Sequence, residues 1–595
     1  MSVPTAELTA PTAPPHRGAR AVSLTGRLGA GRLYLFAAVF ALTVGAVSLL
    51  LPSTPSYDPW AWLVWGREIV HVNLQTTGGP SWKPLPMIFT TAFAPFGRAA
   101  PDLWLVVARA GAVMSVLMVF KVAGRVTAGL VTRADAREDL FGRLGALAPA
   151  ILAGAIAAAS LTLSGGYLSD SALGYSEGLL TAAVLIAVDR HLDGKPRQAF
   201  AVGFFAALDR PEIWLFWGPY GLWLWRKDPG ARRLVIGLFA LIPILWFLPE
   251  YWGSGHFFRG VSRAHNPRSN SPAFAKCPFC SELVDHAWPF VLLRLKVAAL
   301  LAVGAAGGLL WRSWRARGRW RLETPREHAQ AALILAGVTG LGWWVVISVL
   351  TQAGFSGNNR YLVLGAALID IAGAAGWGWA VYELASVVWR RWGARGGEVS
   401  SSSSSSSSPG EVPISSPSLP SSASSPSSTY SPSSAVEARA TRASTARGFL
   451  WGAVALGTAA FLFLPNWVGT NYVNIPRTHR ALVYQAHLRE DVTKVVRELG
   501  GRSRILACGS VMTEGFQVPM VAWALGVHTL DVHASPLGPP LPPAPNVIFQ
   551  TRETRGATLL PHVGDWQGKP GVHYTLAAHV RTFSVYASCK GNLTL

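Results

Sequence analysis

Charged residues are scarce in this chain of 595 residues: Asp, Glu, Lys and Arg make up 14% of it, whereas hydrophobic residues make up 50%. Soluble domains carry roughly 25% charged residues. This shortage excludes a soluble cytosolic enzyme and indicates a membrane protein. Acidic residues number only 31 against 52 Lys and Arg, which gives a formal net charge of +21. The basic residues lie scattered between apolar runs rather than along one stripe, so no nucleic-acid partner is expected.

Cysteine is also rare, and the four present, Cys277, Cys280, Cys508 and Cys589, are too few for a disulfide-built scaffold. All four fall on the predicted outer side of the membrane, where Cys508–Cys589 and Cys277–Cys280 pairs are permitted. The Cys277-Pro-Phe-Cys280 spacing is also typical of a redox site or half of a metal site. Because no second pair or histidine cluster follows at ligand spacing, a local disulfide or free thiols are favoured over a metal.

Long apolar runs dominate the chain, and a transmembrane helix needs about 20 such residues. Nine runs qualify: 33–52, 103–123, 144–163, 175–189, 234–250, 292–311, 330–351, 361–388 and 449–467. The apolar stretch 199–225 is interrupted by Asp209-Arg210-Pro211-Glu212 and has basic residues on both flanks. It is predicted to form two short helices with a tip at the outer face, because Pro211 breaks a helix. The prediction is therefore about 11 transmembrane helices with a cytoplasmic N-terminus.

The remaining segments complete the predicted organisation. Residues 1–30 form a disordered cytoplasmic tail, 31–392 the main transmembrane domain, and 447–467 the last transmembrane helix. Residues 393–446 are rich in Ser and Pro and are predicted to be a cytoplasmic linker. Residues 468–595 are more polar and read as strand (503–508), helix (514–525) and strand (527–532), a small extracytoplasmic α/β domain. Its glycines do not form a GxGxxG fingerprint, so no nucleotide site is predicted.

The first outer loop places a carboxylate, Asp58, close after the first span among Tyr57, Trp60 and Trp62. A carboxylate at that position is suited to act as general base on an incoming hydroxyl. The alternative is that Asp58 caps the helix that Pro59 begins, and the two roles are compatible. Lys83, in a proline-bracketed turn later in the loop, is either a phosphate ligand or a lysine that reaches the membrane interface.

Ionisable residues at membrane depth are costly and usually functional. Asp170 and Glu177 lie in the second outer loop, and Glu177 enters the fourth span. Arg210 and Glu212 lie at the hairpin tip, where an internal ion pair is the structural alternative. Arg360, between Asn359 and Tyr361, is suited to bind a phosphate with its guanidinium fork, or it completes an ordinary turn. The basic loop 251–290 is predicted either to meet an anionic partner or to carry solvated charge.

Four of these motifs together resemble the GT-C superfamily of integral-membrane glycosyltransferases, including the dolichyl-phosphate-mannose mannosyltransferase and arabinofuranosyltransferase types. They are Asp58 after the first span, Lys83-Pro84, the Leu208-Asp-Arg-Pro-Glu212 hairpin, and Asn359-Arg360-Tyr361. The resemblance covers about residues 30–390. The chain differs from many members of this superfamily in having a single acidic residue, Asp58, where they carry a pair. Whether a divalent metal is needed is therefore left open.

The resemblance implies a donor of the polyprenyl-phosphate-sugar type, a glycan, lipid or protein acceptor in the cell envelope, and transfer with inversion. Asp58 would take the acceptor proton, and Lys83, Arg210 and Arg360 would bind the donor phosphate. Asp170, Glu177, Glu212, Asn359 and Tyr361 would support them, and no resident metal or cofactor is assigned. Two alternatives stay open: a lipid or solute transporter, or a non-catalytic envelope assembly protein. A transporter should show two matching interrupted hairpins, and the sequence shows one interrupted hairpin without a matching second.

Overall fold

The computed structural model describes residues 30–131, 140–267, 271–401, 451–461, 474–536 and 538–589. The predicted tail, apart from its last residue, and most of the Ser/Pro-rich linker lie outside these ranges. The linker prediction is wrong at its start, because the helix that precedes it continues to Ser401. The fold is otherwise the one that hydropathy predicts, a helical polytopic membrane protein with a small α/β domain near its C-terminus.

Membrane-length helices dominate the described chain. Six stretches are long and apolar enough to cross a membrane, judged on length and composition within the described ranges: Gly31–Leu50, Pro84–Val131, Pro229–Ser254, Leu293–Arg317, Pro325–Gln352 and Asn359–Val388. The other predicted passes fall on shorter helices. The α-helices that the structure describes before the linker are α1 (Ala30–Val47), α2 (Tyr57–Val70), α3 (Pro84–Phe93), α4 (Ala100–Val131), α5 (Leu140–Leu163), α6 (Tyr167–Ala172), α7 (Glu177–Leu192), α8 (Pro196–Asp209), α9 (Trp214–Lys227), α10 (Arg232–Ser254), α11 (Arg259–Ala264), α12 (Pro278–Cys280), α13 (Trp288–Phe290), α14 (Leu293–Arg317), α15 (Pro325–Gln352) and α16 (Val363–Ser401).

The hairpin of α8 and α9 breaks where the sequence predicts. Arg210 has an extended backbone (φ −143°, ψ 127°), and Pro211–Ile213 form a single 3₁₀ turn before α9 begins. Pro211 cannot donate a helical hydrogen bond, so the chain turns there instead of continuing α8. The break brings Arg210 and Glu212 to the same end of the bundle as α2. We call this the outer end, because the sequence predicts that it faces the outside.

Helix α16 forms the centre of the bundle. In the membrane-length stretch Asn359–Val388, which includes the first part of α16, 94% of the residues in an 18-residue apolar window are buried. In Pro229–Ser254, which includes α10, the share is 17%. Helices α5, α14 and α15 pack around α16, and α4 packs against α1, α5 and α7. Because Arg360 lies in the turn directly before α16, the most buried helix fixes the position of that guanidinium at the outer end.

The α/β domain follows the last described membrane helix, α17 (Trp451–Phe461). It contains α18 (Ile475–Glu498), α19 (Arg502–Cys508), β1 (Val511–Thr513), α20 (Val518–Leu525), β2 (Val532–Ala534), β3 (Val547–Arg552), β4 (Leu559–Leu560), β5 (Thr575–His579) and β6 (Ser584–Ala587). The sheet order is β2-β1-β3-β6-β5, with β4 paired to β3. Strands β2, β1 and β3 are parallel, whereas β6 and β5 are antiparallel additions.

Two strand predictions in this domain are wrong. Residues 503–508 form helix α19, in which the buried residues Ile505 and Cys508 share one face at a spacing of three. Residues Thr529–Asp531 within 527–532 form a 3₁₀ turn, in which His528 and Asp531 cap each other reciprocally, and the strand begins only at Val532. The helix predicted over 514–525 is present as a 3₁₀ turn followed by α20.

Both permitted cysteine pairs are disulfides. Cys508 bonds to Cys589 across 81 positions, which closes the α/β domain on itself, and Cys277 bonds to Cys280 at the start of α12. The Cys-Pro-Phe-Cys segment is therefore cross-linked, in agreement with the sequence, which favours a local disulfide or free thiols over a metal site. Residues Ser281–Ala287 continue it as a π-helix toward α13.

Candidate active site

Asp58 lies in the first turn of α2, which begins at Tyr57 with Ser56 as its N-cap residue. The interpretation of Asp58 as the cap is therefore wrong, because the helix starts one residue before it. A carboxylate in the first turn is still stabilised by the helix dipole. The side chain is nearly buried, with 12% of its surface exposed.

Arg360 contacts Asp58 directly, although the two residues are 302 positions apart. One Nη2–Oδ2 hydrogen bond of 2.5 Å joins them, and the Arg360 side chain is also 12% exposed. The structure thus brings the predicted base and one predicted phosphate ligand into a single ion pair. A charge-assisted pair of this geometry, sheltered from solvent, is among the stronger polar contacts in proteins.

Glu177 stands at the centre of the predicted cations. Its Oε1 lies 3.0 Å from Nη2 of Arg210, 3.6 Å from Nε of Arg360 and 3.7 Å from Nζ of Lys83. Lys83 also donates to the Ser176 hydroxyl at 3.2 Å. The loop before α3, the start of α7, the hairpin break and the turn before α16 therefore meet at one carboxylate. We call Asp58, Lys83, Glu177, Arg210 and Arg360 the outer cluster.

Two tyrosines support the guanidinium groups of the outer cluster. The Arg210 guanidinium carbon lies 3.5 Å from the Tyr361 ring centroid, and that of Arg360 lies 4.0 Å from the Tyr175 ring centroid. Cation–π contacts of this kind hold a cation without neutralising its charge. Tyr175 also shares a 2.8 Å hydrogen bond with the Ser56 hydroxyl at the start of α2.

The other predicted supporting residues differ in their placement. Asp170 lies close enough that the Arg360 and Glu177 charges affect it, and burial raises its pKa to about 7. Glu212 pairs with Arg210 at 3.3 Å. Asn359 is exposed, and it is the preceding Asn358 that donates to the Tyr361 hydroxyl at 3.0 Å. The structure therefore does not bring Asn359 into the outer cluster.

Sequence reasoning missed three residues that border the cluster: Tyr175, Ser176 and Asp209. Asp209 is fully buried, and its carboxyl lies within electrostatic range of Lys83, Glu177 and Arg210. A signal existed for each, because Tyr175 and Ser176 directly precede Glu177 and Asp209 directly precedes Arg210. What the sequence could not supply was the proximity of those two segments.

The outer cluster and its neighbour Glu212 contain buried polar atoms that no described protein group satisfies. Oε2 of Glu177, Oε2 of Glu212, Nε of Arg210 and Nε of Arg360 are buried without a hydrogen-bond partner. Leaving such an atom unpaired costs about 1–3 kcal/mol. Acceptors and donors that stay unpaired side by side are suited to a polar ligand with both phosphate and hydroxyl groups. Within the described ranges, no group of three His, Cys, Asp or Glu is arranged to hold a metal ion.

The fold and this cluster define a polytopic helical membrane protein with a charged site at the outer end of its bundle. No protein-family model matches the chain, and no curated protein matches it. Among solved structures, the chain is similar to ArnT from Cupriavidus metallidurans bound to undecaprenyl phosphate, at 13% identity over 94% of this chain and 99% of that one. The TM-score is 0.43, too low to carry an argument, so the function is argued from this chain's own residues.

Proposed function

We propose that this protein is an inverting membrane glycosyltransferase that moves a sugar from a polyprenyl-phosphate donor to a glycan, lipid or protein acceptor at the outer face of the cell membrane. One observation carries the proposal: two carboxylates, Asp58 and Glu177, and three cations from distant segments converge in one sheltered cluster. This is the set of charges that the motif resemblance implies for proton removal and phosphate binding.

The Asp58–Arg360 pair is the resting arrangement in this proposal. A polyprenyl-phosphate sugar carries a phosphodiester, which bears one negative charge and competes with Asp58 for the Arg360 guanidinium. Nε of Arg360 lies 3.6 Å from Glu177 without a hydrogen bond, and the Tyr175 ring packs on the guanidinium. Donor binding therefore loosens the pair and leaves Asp58 with a carboxylate oxygen free to accept a proton.

Transfer then takes one displacement at the sugar C1. The acceptor hydroxyl oxygen bonds to C1, its proton passes to Asp58, and the bond from C1 to the phosphate oxygen breaks with its electron pair on that oxygen. The phosphate changes from a monoanionic diester to a dianionic monoester, so its negative charge grows along the reaction. Cations that are already oriented toward this charge lower the barrier without further reorganisation. Lys83, Arg210 and Arg360 have that role.

The first prediction is that Asp58→Asn abolishes transfer while leaving membrane insertion intact. Loss of a positioned general base costs about 10²–10⁴-fold in rate, and asparagine retains the shape and one acceptor oxygen. The measurement is radiolabelled sugar transfer from a polyprenyl-phosphate donor in membranes that contain the variant.

Asp102→Asn is the matched control, because Asp102 forms a 2.6 Å pair with Arg489 at the same end of the bundle but outside the cluster. It should keep normal transfer. Turnover near the wild-type rate in Asp58→Asn would remove Asp58 from the mechanism. Accumulation of a solute or lipid in sealed vesicles, without sugar transfer, would instead favour the transporter alternative. Neither activity in the wild-type protein would favour the non-catalytic assembly role.

A further inference from the structure

A short helix in the basic outer loop, α11, lies between the loops that precede two members of the outer cluster. On one side is the segment 77–82, which leads to Lys83. On the other side is the segment 353–358, which leads to Arg360. The sequence predicts either an anionic partner or solvated charge for this loop. In the structure, Arg259 and Arg263 donate to backbone carbonyl oxygens.

Arg259 is 9% exposed and turns its guanidinium toward the backbone of the first segment. It donates to the carbonyl oxygens of Pro80 at 2.5 Å, Thr77 at 2.9 Å and Gly79 at 3.0 Å. Glu250 of α10 lies 3.8 Å away and balances the charge. Two guanidinium nitrogens donate to these three carbonyls from fixed positions in one plane, an arrangement that lysine lacks.

Neighbouring residues of α11 extend the same attachment. Arg263 donates to the Gly79 carbonyl at 3.2 Å, and the Ser81 hydroxyl donates to the Gly260 carbonyl at 2.8 Å. The Trp82 indole donates to the Leu245 carbonyl of α10 at 3.0 Å. The residues immediately before Lys83 are therefore held at several points, and Lys83 itself begins α3 as its N-cap residue.

The other side of α11 contacts the second segment. The Ser356 amide donates to the Ala264 carbonyl at 3.3 Å. The His265 ring, directly after α11, packs on the Phe355 ring at a centroid distance of 3.9 Å. These contacts lie four and five residues before Arg360. Helix α11 therefore connects the segment 77–82, which precedes Lys83, with the segment 353–358, which precedes Arg360.

We infer that Arg259 is a positioning residue that acts through Lys83. By holding the carbonyls of residues 77–80, it fixes where Lys83 stands relative to Arg360, and thereby the donor-phosphate subsite. This inference rests on the proposed function. A displacement of about 1 Å in a binding group costs up to 10²-fold in rate, which explains why a buried arginine is used on a stretch of backbone.

The test compares Arg259→Lys and Arg259→Gln with Arg98→Lys, a control at an exposed arginine of the same end. Both Arg259 variants should raise the KM for the polyprenyl-phosphate sugar about tenfold or more and leave the acceptor KM unchanged, while the control stays normal. A donor KM near the wild-type value in Arg259→Lys, together with a raised donor KM in Arg259→Gln, would mean that Arg259 binds an anion through its charge. That result would overturn the inference.

A second comparison tests the route through Lys83. In a protein that already carries Lys83→Met, adding Arg259→Lys should raise the donor KM little further, because the group that Arg259 positions is gone. If the two substitutions instead multiply their effects on the donor KM, the inference is refuted. If the Arg259 variants do not fold, Ser81→Ala removes only the bond to Gly260 and should raise the donor KM severalfold. An unchanged donor KM in Ser81→Ala would contradict the inference.

Binding of polyprenyl phosphate to the purified protein separates the two claims. Wild-type protein that neither binds this lipid nor transfers sugar would refute the proposed function and the inference together. Wild-type protein that does both, beside Arg259 variants with wild-type affinity and donor KM, would refute only the role of Arg259.

Discussion

Glu282 is a fully buried carboxyl directly behind the loop that leads to Arg360. Neither of its oxygens has a hydrogen-bond partner, and a Cβ at Gly357 would lie 2.1 Å from Oε2. A Cβ at position 357 would therefore force the Glu282 side chain to move. Burial raises the pKa of Glu282 to about 7, and the nearby His286 opposes this rise.

The second prediction follows from that pKa. Because Glu282 holds its proton more tightly in the folded protein than in the unfolded chain, its contribution to stability is complete below about pH 4.5 and is lost as the pH rises through about 7. Glu282→Gln should therefore be more stable than wild type at pH 8 by about 3 kcal/mol, and this advantage should shrink toward pH 4.5. Thermal unfolding in detergent across this range measures it.

Glu498→Gln, which alters an exposed carboxylate on α18, is the control and should follow the wild-type pH curve. Parallel curves for wild type and Glu282→Gln would show that the pKa of Glu282 is the same in the folded protein and in the unfolded chain.

At the scale of single residues, short motifs identified much of the cluster but not its contacts. Asp58, Lys83, Arg210 and Arg360 were predicted because charge at membrane depth is conspicuous in an apolar sequence. The ion pair between Asp58 and Arg360 was not predictable, since it spans 302 positions and depends on how the helices pack. Asn359 was assigned with its neighbour, but the 3₁₀ turn at 359–362 leaves it exposed.

The position of Glu177 depends on close contact between two helices. Gly178 of α7 packs against the α4 backbone, where a Cβ would lie 2.6 Å from the backbone atoms of Ala112. Gly111 of α4 likewise faces Leu179, with a Cβ position 2.6 Å from its side chain. Small residues at such contacts let membrane helices approach closely. Glu177 directly precedes Gly178, so the spacing of α4 and α7 sets the location of the carboxylate.

The third prediction is that Gly178→Ala displaces α7 and reduces transfer at least tenfold, with a loss of stability of about 1–3 kcal/mol from overpacking. Gly237→Ala, in α10, is the matched control, because no atom lies within 4 Å of its Cβ position. That variant should keep normal transfer and normal stability or gain a little, since alanine favours helix more than glycine does. Thermal unfolding and the transfer assay measure both. Equal behaviour of the two variants would contradict the prediction.

At the scale of elements, hydropathy predicted more than the strand pattern did. Each predicted pass overlaps an α-helix within the described residues, and six of them overlap stretches that are long and apolar enough to cross a membrane. The error at 503–508 has a different origin: a short apolar run fits a buried strand or one face of a helix equally well. Tertiary burial of Ile505 and Cys508 decided for the helix.

The α/β domain docks on α2, the helix that carries Asp58. Arg67 donates to the Val527 carbonyl at 2.6 Å, and the His528 ring lies 2.8 Å from the Glu68 carboxylate. Nearer the start of α2, the Tyr57 and Phe516 rings meet edge to face at a centroid distance of 6.1 Å. Sequence analysis gave this domain no role, because nothing in its own sequence indicates which surface it covers.

The fourth prediction is that His528→Ala loosens this docking. Glu68 is 2% exposed and would lose a hydrogen-bond partner, at a cost of about 1–2 kcal/mol. Amide hydrogen exchange should become faster in α2 and in residues 518–534, and transfer should fall severalfold because α2 positions Asp58. His573→Ala, at an exposed histidine of the same domain, should change neither. Unchanged exchange in α2 would show that the domain is held by its other contacts alone.

The bond between Arg67 and Val527 joins groups 460 positions apart. Since ribosomes add about 5–20 residues per second, α2 leaves the ribosome roughly half a minute to a minute and a half before the segment that packs on it. During synthesis the helix of Asp58 therefore lacks this covering until the residues around Val527 have been made.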